Sequence, residues 1–206
     1  CRAEYQIQLK NYKYTSDRRP LLFGIIQGGN DRELRRYCAE RLIEIGFDGF
    51  GFGGWPLDSE GKLTADILKY TAELMPAGGV RYAMGLGKPE EIVALADMGY
   101  DLFDCVIPTR EARHQRLYVY TAASASDIDI RADKFYKYLY IMDDKYTADT
   151  GPVSAACDCL CCRKYSRSYL KHLFTLGDPL AQRLATIHNL RFYTMLTERL
   201  QKERER

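Results

Sequence analysis

Four apolar runs, each closed by glycine or polar residues, recur along the first half of this 206-residue chain, and helical patterns separate them. The stretch Leu21-Leu22-Phe23-Gly24-Ile25-Ile26 is nearly continuous apolar sequence, which suits a strand buried on both faces. A helical pattern follows, with Leu34, Tyr37, Cys38, Leu42 and Ile45 mostly at steps of three and four. The theme returns as a strand over 47–54 and a helix over 65–75. It returns again as a strand over 80–84 and a helix over 89–98, then as a fourth strand over 102–107. Such alternation implies a parallel sheet covered by helices, since a parallel crossover is long enough to hold one. No short repeat accompanies the rhythm, which argues against a solenoid.

The carboxyl ends of parallel strands are where α/β proteins place their sites. Here the first run ends in Gln27-Gly28-Gly29 and the second in Gly51-Phe52-Gly53-Gly54-Trp55. The third ends in Met84-Gly85-Leu86-Gly87-Lys88, and the fourth carries Asp104-Cys105 before Pro108-Thr109-Arg110. A single glycine-rich end makes a tight turn and nothing more. Four in series point to a ligand. Asp104 lies inside Leu102-Phe103-Asp104-Cys105-Val106-Ile107, where a charge is costly unless partnered or functional. At a strand end it could serve as base, metal ligand or nucleophile; the plain alternative is a hydrogen-bonded structural aspartate.

After residue 110 the rhythm stops. Residues 117–120, 127–130 and 137–142 read as short strands, and Asp149-Thr150-Gly151-Pro152 as a turn. From Tyr165 onward the pattern is largely helical, with a break at Gly177-Asp178-Pro179. Leu180, Leu184, Ile187, Met195 and Leu196 are available to a core, and residues 201–206 form a charged, frayed end.

Four of the seven cysteines, Cys157, Cys159, Cys161 and Cys162, fall within six residues, too crowded to pair easily with one another. The first residues are no apolar signal segment, so a reducing compartment is expected and metal binding outranks disulfides. Cys157-x-Cys159-x-x-Cys162 offers three thiolates, and zinc prefers four soft ligands in a tetrahedron. The fourth would be Cys161, His172 or His188; spacing does not choose between the histidines. Four protein ligands would make the site structural. Cys38 and Cys105 read as small core residues, and Cys1 stands apart from both.

A net charge of +2 excludes a strongly basic chain, so any affinity for nucleic acid must be local. Arg110, Arg113, His114 and Arg116 precede Leu117-Tyr118-Val119-Tyr120, and cations beside aromatics suit a phosphate backbone and an unstacked base. Arg163, Lys164, Arg167 and Lys171 form a second basic group. For either group alone, a solvated face is the plainer reading. Lys88 precedes Pro89-Glu90, a helix start whose backbone N–H groups could join it in holding a phosphate. No run of eighteen apolar residues exists, so no membrane span is expected.

These motifs carry a family resemblance. The chain resembles the tRNA-guanine transglycosylases, also called queuine or preQ1 tRNA-ribosyltransferases. The resemblance rests on Phe23-Gly24-Ile25-Ile26-Gln27-Gly28-Gly29, on Gly46-Phe47-Asp48-Gly49-Phe50 with Gly53-Gly54, and on Arg81-Tyr82-Ala83-Met84-Gly85-Leu86-Gly87-Lys88-Pro89-Glu90. It rests further on Leu102-Phe103-Asp104-Cys105-Val106-Ile107-Pro108-Thr109-Arg110, the 149–152 turn, the cysteine cluster and Ile187-His188-Asn189-Leu190. It runs from about residue 21 to residue 200.

The resemblance implies an α/β fold, the carboxyl-terminal half of a (β/α)8 TIM barrel with a zinc-binding subdomain. Residues 1–114 would supply barrel strands 5–8. Residues 115–206 would supply a tRNA-facing β segment, the zinc-binding subdomain and C-terminal helices. The implied activity is a pentosyl transfer of queuosine biosynthesis: guanine at wobble position 34 of tRNA is exchanged for a 7-deazaguanine, preQ1 or queuine. Asp104 would be the nucleophile that forms a covalent Asp–ribose intermediate, as carboxylates do in retaining glycosidases.

By the same resemblance, Gln27, Gly53, Gly54 and Met84 would bind the base. Gly85, Leu86, Gly87, Lys88, Pro89, Glu90 and Glu91, with Thr109, Arg110, Glu111, Ala112 and Arg113, would contact tRNA. One structural Zn2+ would sit on Cys157, Cys159, Cys162 and His188, leaving Cys161 and His172 as bystanders. The implied partners are a tRNA with a GUN anticodon, a 7-deazaguanine base, and an N-terminal half or partner subunit in a homo- or hetero-oligomer. The implied location is cytoplasmic, with no membrane. A non-catalytic tRNA-binding zinc subunit and a related DNA 7-deazaguanine transglycosylase are the alternatives; Asp104 speaks against the first.

Three departures stand out. The family's paired glycines are usually followed by Leu, and here by Trp55. Gln115 stands where the family often has Gly. The family's amino-terminal half, with an Asp that accepts a proton and another that reads the base, has no counterpart here. A full (β/α)8 barrel takes about 250 residues, so this length points to a chain that works with something else.

Overall fold

The computed structural model describes residues 2–11 and 19–205; Cys1, residues 12–18 and Arg206 lie outside it. The chain divides into two compact units, residues 1–104 and 105–206.

The first unit holds a four-stranded sheet of β1 (Phe23–Ile26), β2 (Gly49–Phe52), β3 (Val80–Ala83) and β4 (Leu102–Phe103). The strands are all parallel and stand in the sheet in chain order, β1-β2-β3-β4. The intervening helices are α2 (Arg32–Ile45), α3 (Ala65–Leu74) and α4 (Pro89–Asp97). All four strands and three helices answer to the sequence pattern. The helix α1 (Arg2–Asn11), by contrast, carries no apolar periodicity and buries none of its residues.

Strand period and register sort the side chains into two faces. Ile26, Phe50, Phe52 and Ala83 are buried with Ala39, Ile67, Leu68, Ala72, Leu95 and Tyr100 in one core on the helix side. The other face carries Phe23, Ile25, Gly49, Gly51, Tyr82 and Leu102, in the register Ile25–Gly51–Tyr82–Leu102. That face is only half covered: Phe23, Ile25 and Tyr82 are partly buried and Leu102 is exposed. Burial of β1 on both faces is therefore not met. The two glycines of β2 let its neighbours close over it. A methyl group on Gly51 would sit 3.0 Å from both Ile25 Cδ1 and Met84 Sδ, and Gly49 gives its room to the Phe23 ring.

Two expectations in this unit need correction. The stripe on α2 is only partly met: Cys38 and Leu42 pack against the core, but Leu34 and Tyr37 are 57% and 64% exposed and Ile45 is exposed too, while Arg35 is buried at 1%. Arg35 wins that place because its guanidinium finds three carbonyl acceptors there. The fourth strand is also shorter than read. It ends at Phe103, and Ile107–Arg113 form a helix, α5, which Pro108 starts.

The second unit begins with α5. It continues into an antiparallel pair, β5 (Arg116–Tyr120) and β6 (Tyr136–Tyr140), with Tyr118 opposite Tyr138. Then follow α6 (Leu160–Lys164), α7 (Arg167–Thr175) and the long α8 (Pro179–Arg204). Residues 127–130 form turns rather than a strand. The break before α8 is as read: Gly177 takes φ +68°, Asp178 caps the helix by accepting from Leu180 N, and Pro179 opens it. Gln115, at φ +65°, is the only non-glycine in the left-handed region among the described residues, a conformation glycine adopts most readily.

Asn189 joins three elements of this unit. Its Nδ2 donates to the carbonyls of Pro108 and Arg116 at 3.0 and 3.1 Å, and its Oδ1 accepts from Tyr118 N at 3.1 Å. Beside it, Phe192 stacks on Tyr120 with ring centroids 4.2 Å apart.

Candidate active site and metal centre

Asp104 is the first residue past β4, two positions beyond Leu102, so strand alternation continues its direction on the half-covered face. It is exposed, contrary to the buried charge that the apolar segment suggested. The neighbouring strand supplies its partners. Tyr82 Oη donates to Asp104 Oδ1 at 2.8 Å, and the Gly85 amide donates to the same oxygen at 2.9 Å. Gly85 takes φ +72°, a conformation glycine adopts without strain, and this turn brings its N–H to the carboxylate. The hydrogen bond to Asp104, with partial burial, raises the Tyr82 pKa, so the phenol remains a neutral donor past its ordinary range.

Gln27 and Gly53 lie at the ends of β1 and β2. A Cβ on Gly53 would meet the Gln27 amide at 2.5 Å, so glycine here is what lets the Gln27 side chain lie across the backbone. Gly53 N donates to Ile26 O at 2.9 Å. Below them Arg35 donates to Gly29 O (2.6 Å), Ile26 O (3.2 Å) and Gly53 O (3.1 Å), with its guanidinium 4.1 Å from the Phe52 ring centroid. Burial lowers the Arg35 pKa. Sequence reading missed Arg35 and Tyr82. Arg35 interrupts an apolar pattern, and Tyr82 shares the strand period of Asp104; those were the available signals.

Met84 lies over Gly51, exposed at the end of β3. The structure thus sets Gln27, Gly53, Met84 and Asp104 at the ends of four adjacent strands. At one strand spacing each, the ends of β2 and β4 stand about 10 Å apart.

The segments expected to meet tRNA are partly engaged internally. Lys88 Nζ pairs with Glu91 at 3.0 Å, and Glu91 also accepts from Lys88 N at 3.2 Å, closing the start of α4. On α5, buried Glu111 pairs with Arg116 and, at 3.4 Å, with Arg110. The Arg116 guanidinium lies 5.0 Å from the Tyr138 ring centroid. Arg113 and His114 are exposed. In the later basic group, Arg167 pairs with Asp149 at 2.8 Å and Lys171 with Asp144 at 3.1 Å. Arg163 and Lys164 instead line a cavity of about 580 Å³ with Tyr165 and Tyr169.

In the second unit, the sulfurs of Cys157, Cys159 and Cys162 and a ring nitrogen of His188 lie within 4.8 Å of one another. His188 Nδ1 is 3.7 Å from Cys159 Sγ and 3.3 Å from Cys162 Sγ. A tetrahedral zinc ion would set sulfur and nitrogen ligands about 3.6 Å apart, so the donor set fits. His188 Nε2 is 2.7 Å from the Tyr118 carbonyl. Donation there leaves Nδ1 as the ligand atom, the usual outer-shell arrangement for a metal-bound imidazole. Cys161 is fully buried away from the group, and burial pushes its thiol up to about 12. His172 is exposed and outside it.

The fold and these sites define a parallel α/β protein with a carboxylate at its strand ends and a Cys3His centre that could bind a metal. The family model described as queuine tRNA-ribosyltransferase matches residues 3–204. The chain belongs to that family. A queuine tRNA-ribosyltransferase of Mannheimia succiniciproducens is 45% identical over 179 residues, covering 87% of this chain and 43% of that protein. One of Acinetobacter baumannii is 41% identical over 198 residues, covering 96% of this chain and 47% of that protein. The chain thus spans less than half the length of these relatives. Among the described residues, no helix is long and apolar enough to cross a membrane.

Proposed function

We propose that this chain supplies the nucleophilic half of a tRNA-guanine transglycosylase, which exchanges guanine 34 in a GUN anticodon for a 7-deazaguanine. The observation that carries the reading is Asp104, held at the end of β4 by Tyr82 and Gly85, both through Oδ1. With Oδ1 fixed, Oδ2 attacks C1′ of the nucleotide. The C1′–N9 bond breaks, its electron pair leaves with guanine, and a proton from solvent neutralises the departing base. The incoming 7-deazaguanine then displaces the carboxylate from C1′ and gives up a proton, restoring free Asp104. Two donors on one oxygen limit the charge that the other must carry and fix its direction.

Gln27, Gly53, Gly54 and Met84 hold the base, and the 85–91 and 109–113 segments hold the tRNA. The donor set of the Cys3His centre suits zinc, which would close its four-ligand shell on Cys157, Cys159, Cys162 and His188 and act structurally.

The sheet is four strands of a (β/α)8 barrel, and residues 1–114 account for four βα steps with α5 following β4. Support comes from the unbroken strand order, since an open doubly wound sheet reverses order and a barrel does not. Further support comes from the half-covered face with exposed Leu102, and from exposed Leu34 and Tyr37 on α2. The remaining four βα steps come from a longer chain or from a partner subunit.

The test is covalent trapping of tRNA on a denaturing gel with the other half supplied. Asp104→Asn is expected to abolish the adduct; an undiminished adduct would overturn the assignment.

A further inference from the structure

Trp55 is the only tryptophan in the chain, and it is 77% exposed. That exposure leaves the faces of a large aromatic ring open to a ligand. The segment that carries it is pinned on both sides. Before it, Gly53 is fixed by Ile26 O and by Arg35. After it, Pro56 is buried and its carbonyl accepts from both the amide and the hydroxyl of Thr64, each at 3.0 Å. Leu57 then bridges to Leu63, and Asp58 Oδ1 accepts from the amides of Glu60 and Lys62 at 2.9 Å. The indole is therefore presented from a short, anchored link, Gly54-Trp55, beside Gln27 and Gly53.

We infer that Trp55 is a stacking platform for an unpaired nucleobase at the mouth of the proposed base site, an inference that rests on the function proposed above. A solvent-facing aromatic plane on an anchored backbone is what a splayed base needs, and every base offers a π face to it. A further strand is one rival occupant, and the topology disfavours it. Additional strands of the sheet would join at β1 or β4, whereas Trp55 follows β2, which already has a strand on each side. The base comes either from the RNA beside the reacting nucleotide or from the free heterocycle; the chemistry of the platform is the same for both.

Because Trp55 is the sole tryptophan, its fluorescence reports on this position alone. The whole chain is titrated with an anticodon stem-loop RNA, with the same RNA carrying abasic loop positions, and with free guanine and 7-deazaguanine, while anisotropy of labelled RNA measures binding independently. Saturable quenching by the intact stem-loop, lost with abasic positions, identifies an RNA base. Quenching by the free bases alone identifies the heterocycle. Either result supports the platform. Trp55→Ala is expected to weaken the quenching ligand about tenfold, and Trp55→Phe to restore most of the affinity. RNA binding without quenching, no response to any of these ligands, unchanged affinity in Trp55→Ala, or a response only to the complementary half-barrel would overturn it. Base exchange by the completed enzyme without Trp55 quenching removes the platform and leaves the proposed function standing; quenching without exchange does the reverse.

Discussion

The Tyr82 phenol donates a 2.8 Å hydrogen bond to Oδ1 of Asp104, tying the end of β4 to the middle of its neighbour β3. A donor to a carboxylate both orients it and tempers its charge. Tyr82→Phe keeps the ring against Phe23, whose centroid is 5.9 Å away, and removes only the hydroxyl. In the completed enzyme, adduct formation should slow about tenfold, the value of one hydrogen bond to a charged group, with tRNA affinity unchanged. Single-turnover trapping measures the first and filter binding the second. Because the Tyr82 pKa is raised above its ordinary value near 10, the donor persists as pH rises, and no alkaline loss of rate below that value should disappear in the variant.

Gly53 and Gln27 give a test that separates recognition from folding. The nearest atoms to a methyl group on Gly53 are at the far end of the flexible Gln27 side chain, which can swing away. Gly53→Ala should therefore melt within about 1 kcal/mol of the parent. It should also weaken binding of the 7-deazaguanine base about tenfold, as Gln27 is displaced from the base site. Thermal unfolding and base titration check the two halves of the expectation.

Much of this was legible in the sequence, and the failures have causes. The strands were visible because their apolar runs are short and bounded by glycine. Asp104 and the cysteine cluster stood out because charge in an apolar run and four crowded sulfurs are both hard to place otherwise. The α2 face was misread because apolar periodicity counts Leu34 and Tyr37 as core and cannot see carbonyls at strand ends that make burial favourable for Arg35. The end of β4 was misread because Val106 and Ile107 continue an apolar run that α5 interrupts only through Pro108 and tertiary contacts. Choosing His188 over His172 took the resemblance, since both lie on helices at compatible distances along the chain.

Arg35 should be a stability hot spot although no carboxylate pairs with it among the described residues. Its three bonds satisfy carbonyls of Ile26, Gly29 and Gly53 that have no access to another cation among the described contacts. Arg35→Met preserves the apolar stem and removes the donor to the Gly29 and Gly53 carbonyls, while Ile26 O keeps the Gly53 amide, at a cost of about 3 kcal/mol. Arg35→Lys, with a point charge in place of a planar fork, should fall between. Urea unfolding followed by circular dichroism gives both values.

The metal centre makes a paired prediction. His188→Ala removes a ligand and leaves the Tyr118 carbonyl without its donor, so bound metal should fall to background and the second unit should lose its cooperative melt. Cys161→Ala removes a buried thiol outside the cluster; metal content should stay near one ion per chain, with about 1 kcal/mol lost to the vacated volume. Strong chelators should reproduce the first phenotype and not the second. Metal analysis and thermal melts distinguish them.

Asp48 gives the pH dependence of the first unit. Its carboxylate pairs with Arg19 at 2.5 Å and accepts from Leu22 N at 2.8 Å, and these bonds, the Arg19 pair foremost, hold its pKa at about 2. The folded value lies below the unfolded value near 3.9, so the folded state binds the proton less readily than the unfolded state. The stabilisation is therefore fully present above about pH 4 and is lost as pH falls toward 2. Because the pair is largely solvated, it contributes less than the shift alone would give. Asp48→Asn should melt a few degrees below the parent from pH 5 to 7, with the gap closing as pH falls below about 4. A gap that widened on acidification would mean that the carboxylate is not held in its charged form. Melting curves across that range decide it.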